Sequence, residues 1–435
     1  MARNRSAFRA FVFFFLTTTI LAADCGERCS NDGNCFVRAS DNQALSWVIS
    51  QALDRNQELQ ALSIEIRVAD SRIHQSGRSP NPELEFEAEE FGGNGSFSGY
   101  GVSTLSWSLS RQVETGSKRG NRVRVSNYEK ELLKNDYGTR KLDLIKAVTS
   151  AYIRVCAAKK MVVLSRESLK LAEQAREAVS RRVEAGKDSM MEKSKADVSK
   201  SIAAIELGQA ERGLERAFIS INEILGTEDS KKIEFTALEV TDFTLPNLET
   251  RIMDFPDLNR WEAVSGHGHA VLKAQKSQAL PDLTFKGGLS RFKASDEYAY
   301  FCAVALPIPF TGNSGGIREA ELNLEKIEKE RKFSELKIKS AFASSFNSLK
   351  TLSSQTRTLK EEIIPASLSA FELASEGYRL GKFGFLEMLD AQRTLFESRL
   401  ELVKASEEFH LEKAELERLI GHALDCPEFK KIGGN

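Results

Sequence analysis

The chain contains two copies of one plan, and this duplication limits what it can fold into more than any other feature. Gln57-Glu58-Leu59 and Pro256-Asp257-Leu258 open matching amphipathic stretches 199 residues apart. Pro82-Glu83-Leu84-Glu85-Phe86 returns after the same interval as Pro281-Asp282-Leu283-Thr284-Phe285. Farther along, Gly186 in Val183-Glu184-Ala185-Gly186 and Gly381 in Tyr378-Arg379-Leu380-Gly381 stand 195 apart, and each is followed 40 residues later by a second glycine, Gly226 and Gly421. Solenoid repeats run to roughly 20 to 50 residues. A period this long marks a duplicated half-protein.

Each copy predicts long helices. Between Gly120 and Gly186 there is no proline and one internal glycine, Gly138, while Leu142, Ile145, Val148, Tyr152 and Val155 recur at helical spacing. At about 1.5 Å per residue such a helix is on the order of 100 Å long, too long for a compact domain. The segment from Gly316 to Gly381 repeats the design, with Pro365 as its expected kink. The return helices carry strict seven-residue series: Leu395, Leu402, Phe409 and Leu416 in one copy, Ala196, Ala203, Ala210 and Ala217 in the other. Ala391 and Ala405 match two of those alanine positions, and a large residue alternating with a small one suits close, left-handed packing of neighbouring helices.

Between a shorter helix and the long one, each copy places two strand-like segments. Leu84, Phe86 and Ala88 alternate with Glu83, Glu85, Glu87 and Glu89; Leu105, Trp107 and Leu109 alternate with Ser and Thr. In the second copy, Leu283, Phe285 and Leu289 alternate with polar residues, and Tyr300, Cys302, Val304, Leu306 and Ile308 follow, closed by Pro309. Period-two alternation over about 10 residues fits an outer-membrane strand, apolar toward lipid and polar toward a lumen; a half-buried soluble sheet carries the same pattern. Only closed barrels put strands into a bilayer, and four strands are too few to close one. If these are membrane strands, several chains share one barrel, and Glu83, Glu85, Glu87 and Glu89 face its lumen.

The expected organisation is a signal peptide over 1–23, a Cys-containing extension over 24–41 and a first repeat over 42–226. Its strands fall at about 82–91 and 102–112, its long helix at 117–184 and its return helix at 188–225. A connector over 227–250 leads to a second repeat over 251–421, with strands at about 281–291 and 298–308, a long helix over 316–380 and a return helix over 384–420. A tail over 422–435 ends the chain. The signal peptide rests on Arg3, Arg5 and Arg9 before the apolar run of Phe11 to Leu16 and Ile20 to Ala23. That run is too short to span a bilayer as a helix, and no later stretch approaches the roughly 18 apolar residues that would. In an exported chain, Cys25, Cys29, Cys35 and Cys426 read as disulfide material. Lipidation of Cys25 stays open, although Asp24 stands where a small residue is expected. Cys156 and Cys302 read as packing residues.

These features resemble the outer-membrane efflux factors of the TolC type over about residues 42–421. The likeness is carried by Asn81-Pro82-Glu83-Leu84 entering the first strand, Gly116-Ser117-Lys118-Arg119-Gly120 before the long helix, the two glycine turns, and the helix ends at Gly226 and Gly421. Glu90-Phe91-Gly92-Gly93 and the Lys118-Arg119 pair are most similar to the heavy-metal branch, the CzcC and CusC types. The resemblance implies a homotrimer, a shared 12-stranded barrel in outer-membrane lipid and a hollow periplasmic tunnel of helices. It also implies docking on a periplasmic adaptor and an inner-membrane pump. The two turns would form the periplasmic tip, with Val183, Ala185, Gly186, Lys187, Leu380, Gly381, Lys382 and Phe383 meeting the adaptor. Glu192 and Glu387, six residues past each turn glycine, together with Asp390, would constrict the entrance, and Tyr378 would close against Glu192. Phe383 stands where the family's founding type has an arginine in the lock.

No catalytic constellation, cofactor motif or metal-ligand set is visible. His267-Gly268-His269 is the one close histidine pair and has no third ligand nearby. A net charge of −1 offers no basic surface for nucleic acid. Exported heavy-metal cations are the expected cargo. Two rival readings are an outer-membrane channel for drugs or secreted polypeptides and a periplasmic coiled-coil adaptor or scaffold, the last of which has no use for four alternating strands.

Overall fold

The computed structural model describes residues 43–227, 233, 235, 240, 255–309 and 312–424. The expected signal peptide, the N-terminal extension, most of the connector and tail, and Cys25, Cys29, Cys35 and Cys426 lie outside the described residues.

The first copy runs α1 (Gln43–Arg55), α2 (Gln57–Ser76), β1 (Glu83–Glu89), β2 (Thr104–Val113), α3 (Lys118–Glu184) and α4 (Met190–Leu225). The second runs α5 (Pro256–Gln278), β3 (Leu283–Phe292), β4 (Glu297–Ala305), α6 (Ser314–Thr358), a π turn (Leu359–Ile363), α7 (Ile364–Arg379) and α8 (Phe385–Ile420). Helix α3 has 67 residues and is about 100 Å long at 1.5 Å per residue. The long helix expected over 316–380 with a kink at Pro365 runs as α6, the π turn and α7, with αR backbone at both junctions. Pro365 lies in the first turn of α7. Its ring and missing N–H do not fit an interior helical turn, and the chain absorbs the mismatch one turn earlier as the π turn.

The helices lie side by side and antiparallel. Helix α2 runs against α3 with Ser76 meeting Ser126 at 2.8 Å and Lys130 meeting Asp70. Helix α5 lies along the same stretch of α3, where Arg260 pairs with Asp136 at 2.7 Å. Two separate apolar cores repeat the duplication. One surrounds Val48, Val148, Tyr152, Val155 and Ile221 on α1, α3 and α4; the other surrounds Phe255, just before α5, with Phe342, Leu349, Phe409 and Leu416 on α6 and α8. Of the heptad residues, Ala196, Ala203, Leu395, Phe409 and Leu416 are buried and Ala210, Ala217 and Leu402 half-buried. Arg418 ties the copies together, binding Asp143 of α3 at 2.8 Å and Asp257 of α5.

The strands form one antiparallel sheet in the order β1-β2-β3-β4, so β1 and β4 are free edges and β2 with β3 is the seam between copies. Its register separates two faces. Phe86, Trp107, Leu289 and Tyr300 stand in one cross-strand row, and Leu84, Leu109 and Cys302 in the next row on that face. The opposite face carries Glu83, Ser110 and Lys286 in one row, then Glu85 and Ser108, then Glu87, Ser106 and Ser290, then Glu89, Thr104 and Glu297. On the polar face Thr104, Ser106 and Ser108 of the inner strand β2 are buried while Glu83, Glu85, Glu87 and Glu89 of the edge strand are exposed; on the apolar face Leu84, Phe86, Leu109, Tyr300 and Val304 are exposed. Cys302 therefore does not pack inside the chain. It stands exposed on the apolar face, whereas Cys156 is buried as expected, and burial pushes its thiol up to about 11. Strand ends fall where the backbone turns left-handed: Glu90 follows β1 at φ 59° and Asp296 precedes β4 at φ 56°.

Candidate functional site

At the far end of α3 the chain reverses through Gly186, at φ +69°. The Gly186 N–H bonds the Val183 carbonyl at 2.9 Å and the Lys187 N–H bonds Arg182 at 2.8 Å, the paired closure that needs a left-handed residue at this place. The second turn repeats it: Gly381 sits at φ +73°, with Gly381 N–H on Tyr378 and Lys382 N–H on Gly377. Helix α4 then starts with a reciprocal cap. The Ser189 hydroxyl accepts from the Glu192 N–H at 3.3 Å, and the Glu192 carboxylate accepts from the Ser189 N–H at 3.2 Å.

The two turns are joined by a buried polar cluster. The Tyr378 hydroxyl donates to Asp188 at 2.6 Å. Arg182 grips the same carboxylate twice, through Nε at 2.8 Å and Nη2 at 3.0 Å, and its guanidinium lies 4.9 Å from the centre of the Tyr378 ring. Beneath lies an apolar floor of Val179, Ala196, Phe385 and Met388, with Val183 packed against it. The Asp188 side chain is only 7% exposed. Hydrogen bonding from Arg182 holds its carboxyl below the ordinary carboxylate range, and burial together with Asp188 raises the Tyr378 hydroxyl above its ordinary value.

This corrects the expected closing contact. Tyr378 meets Asp188, one helical turn nearer the glycine than Glu192, because Glu192 is already spent capping its own helix. Glu387 and Asp390 are exposed on the first turns of α8 and are not part of the cluster. Of the expected tip residues, Ala185, Gly186, Lys187, Leu380, Gly381, Lys382 and Phe383 are exposed, whereas Val183 is half-buried. Exposed Met190, Met191 and Leu386 extend the tip and were not expected.

Arg182 and Asp188 were also missed, although the sequence holds a signal for them. With the 195-residue offset of the turn glycines, their counterparts are Gly377 and Phe383. At this pair of positions the first turn has an ion pair, and the second has a ring lying on a glycine: a Cβ on Gly377 would sit 2.1 Å from the Phe383 ring. On the sheet, Glu85 binds Lys286 at 2.5 Å and accepts from Ser108 at 3.2 Å; Glu83, Glu87 and Glu89 share its face.

A duplicated chain whose open sheet is apolar on one side and polar on the other, set on helices of this length, has the architecture of an outer-membrane channel. The chain belongs to the outer membrane efflux protein family, whose model matches residues 48–227 and 256–422. It is 25% identical over 425 residues to the cobalt-zinc-cadmium resistance protein CzcC of Cupriavidus metallidurans, covering 95% of this chain and 99% of that one. The toluene efflux pump outer membrane protein TtgC of Pseudomonas putida is 23% identical over 391 residues, covering 83% of this chain and 79% of that one. A solved structure of CusC superposes with a TM-score of 0.74 at 17% identity, covering 87% of this chain and 92% of that one, which upholds the TolC-like fold. It is thus an outer-membrane efflux protein with affinity to the heavy-metal branch.

Proposed function

We propose that three copies of this chain form the exit duct of a tripartite efflux assembly. The observation that carries the proposal is the open sheet. Strands β2, β3 and β4, of 9 to 10 residues, suit a bilayer at the usual tilt, with β1 shorter at 7; the sheet has one exposed apolar face, and its two edges are unpaired within the chain. A bilayer tolerates no unpaired strand edge. Pairing β4 of one copy with β1 of the next closes the ring, and three copies of four strands give the 12-stranded barrel. Helices α3, α4 and α6 to α8 then form the periplasmic tunnel, the two turns meet a periplasmic adaptor, and an inner-membrane pump supplies the energy. The chain itself catalyses nothing and moves cargo passively.

Heavy-metal cations are the proposed cargo. The likeness to CzcC over nearly the whole chain supports this reading, as do the carboxylates of Glu387 and Asp390 at the entrance and of Glu83, Glu85, Glu87 and Glu89 along the lumen, which attract cations. The Arg182–Asp188–Tyr378 cluster holds the two turns of one copy together, and opening of the entrance requires it to loosen or to move as a unit.

Deleting the gene should lower tolerance to cobalt, zinc or cadmium, with complementation restoring it. Unchanged tolerance to these metals and to copper, nickel and silver would remove the metal cargo. Increased sensitivity to toluene instead would favour an organic cargo. Heat-modifiable, SDS-resistant oligomers in the outer-membrane fraction test the duct itself, whatever its cargo.

A further inference from the structure

A cavity of about 590 Å³ opens between α3, α8 and the end of α6, beside the π turn. Its walls carry Lys159, Lys160, Arg357, Lys360 and Arg399 against a single carboxylate, Glu361. Lys159 is drawn over the Phe235 ring at 4.8 Å and Arg399 reaches Glu167 at 3.3 Å. Lys160, Arg357 and Lys360 have no ion pair among the described residues. The floor is apolar, formed by Val163, Leu164 and Val403. Cavities of roughly 300 to 1,000 Å³ with an apolar lining and a few convergent polar groups are the ordinary form of a small-molecule site.

A second observation points to a ligand. Thr356 lines this cavity and is only 4% exposed, and its hydroxyl has no hydrogen-bond partner among the described residues. Buried hydroxyls are seldom left unmatched, and this one stands in the same cavity wall as the three cations that lack an ion pair among the described residues.

We propose that this cleft binds an amphiphilic anion, its apolar body against Val163, Leu164 and Val403 and its oxyanion head held by Lys160, Arg357, Lys360 and the Thr356 hydroxyl. The site is distinct from the tip, and its charge is opposite to that needed for cationic cargo. A ligand there touches α3, α8, the end of α6 and the π turn itself, which leads through α7 to Tyr378.

The test is calorimetric titration of octyl phosphate, with inorganic phosphate as the headgroup alone, into the full-length protein in phosphatidylcholine nanodiscs, with empty discs subtracted. Wild type should show one saturable site per chain for octyl phosphate, with inorganic phosphate about tenfold weaker or more. The double change Lys160→Glu, Arg357→Glu should weaken octyl phosphate by about tenfold or more. Thr356→Val keeps the side-chain shape and should weaken it by about threefold or more. Retention of the SDS-resistant oligomer shows that each variant is folded. Absence of saturable binding to wild type, or equal affinity in the folded variants, would overturn the site. Equal affinity for inorganic and octyl phosphate would overturn its amphiphilic character.

Discussion

Changing Tyr378 to Phe deletes the hydroxyl that donates to Asp188 and leaves the Arg182 pair in place. Hydrogen bonds to charged groups contribute about 1.5 to 3 kcal/mol, so Tyr378→Phe should lower the melting temperature measurably while the oligomer persists. Asp188 also makes the tip sensitive to acid. Its carboxyl ionises at lower pH in the folded chain than in the unfolded one, so the ionised form stabilises the fold at and above the ordinary carboxylate range near about 4. That contribution is lost as pH falls through the depressed folded value. Calorimetry between pH 7 and acid should show Asp188→Asn less stable than wild type at neutral pH, with the difference shrinking below about pH 4; a constant difference would count against the ionised latch. Glu192 shows why this contact was hard to read. The family register points to it, yet Ser189-Met190-Met191-Glu192 is a capping box, a local use for the carboxylate that the sequence states openly. Tyr378 itself was legible. Its partner was not, because choosing between carboxylates four residues apart depends on which one the helix start has already engaged.

Among the elements, helices and strands were legible wherever one periodicity persists, as in α3 and in the glutamate alternation of β1. Interfaces between elements were less so. Gly268 separates the two histidines of the close pair and Gly266 precedes them, and the role of both glycines is close approach. A Cβ on Gly266 would lie 2.4 Å from the Tyr128 ring of α3, and one on Gly268 would lie 2.7 Å from Leu324 of α6. These glycines let α5 sit between two long helices. Gly266→Ala should therefore destabilise by about 1 to 3 kcal/mol through overpacking, despite the higher helix propensity of Ala. Tyr128→Ala removes the obstructing ring, so the double variant should be less destabilised than the sum of the two single changes. Strict additivity in thermal melts would mean that Tyr128 is not the obstacle. Such a pairing is invisible in sequence, because it joins residues of different copies at unrelated positions.

For the whole molecule, duplication and strand alternation together made the architecture legible, since each copy supplies half of a sheet that no single chain can close. The sidedness of that sheet is a direct test of what surrounds it. Leu289 and Ser106 lie on neighbouring central strands but on opposite faces. In a bilayer, Lys on the lipid face costs about 2 to 4 kcal/mol at mid-depth and falls toward zero at the interfaces, whereas a lumen position stays hydrated. Leu289→Lys should therefore reduce the SDS-resistant oligomer in the outer-membrane fraction, and Ser106→Lys should assemble nearly as wild type. A sheet that packed its polar face inside a soluble protein would respond the other way, because that face would be the one that cannot hold an added charge. Lysine at position 106 also adds one positive charge per chain to a lumen whose carboxylates are proposed to favour cations. A variant that assembles normally yet lowers tolerance to cobalt, zinc or cadmium would then separate the conduit's electrostatics from its construction.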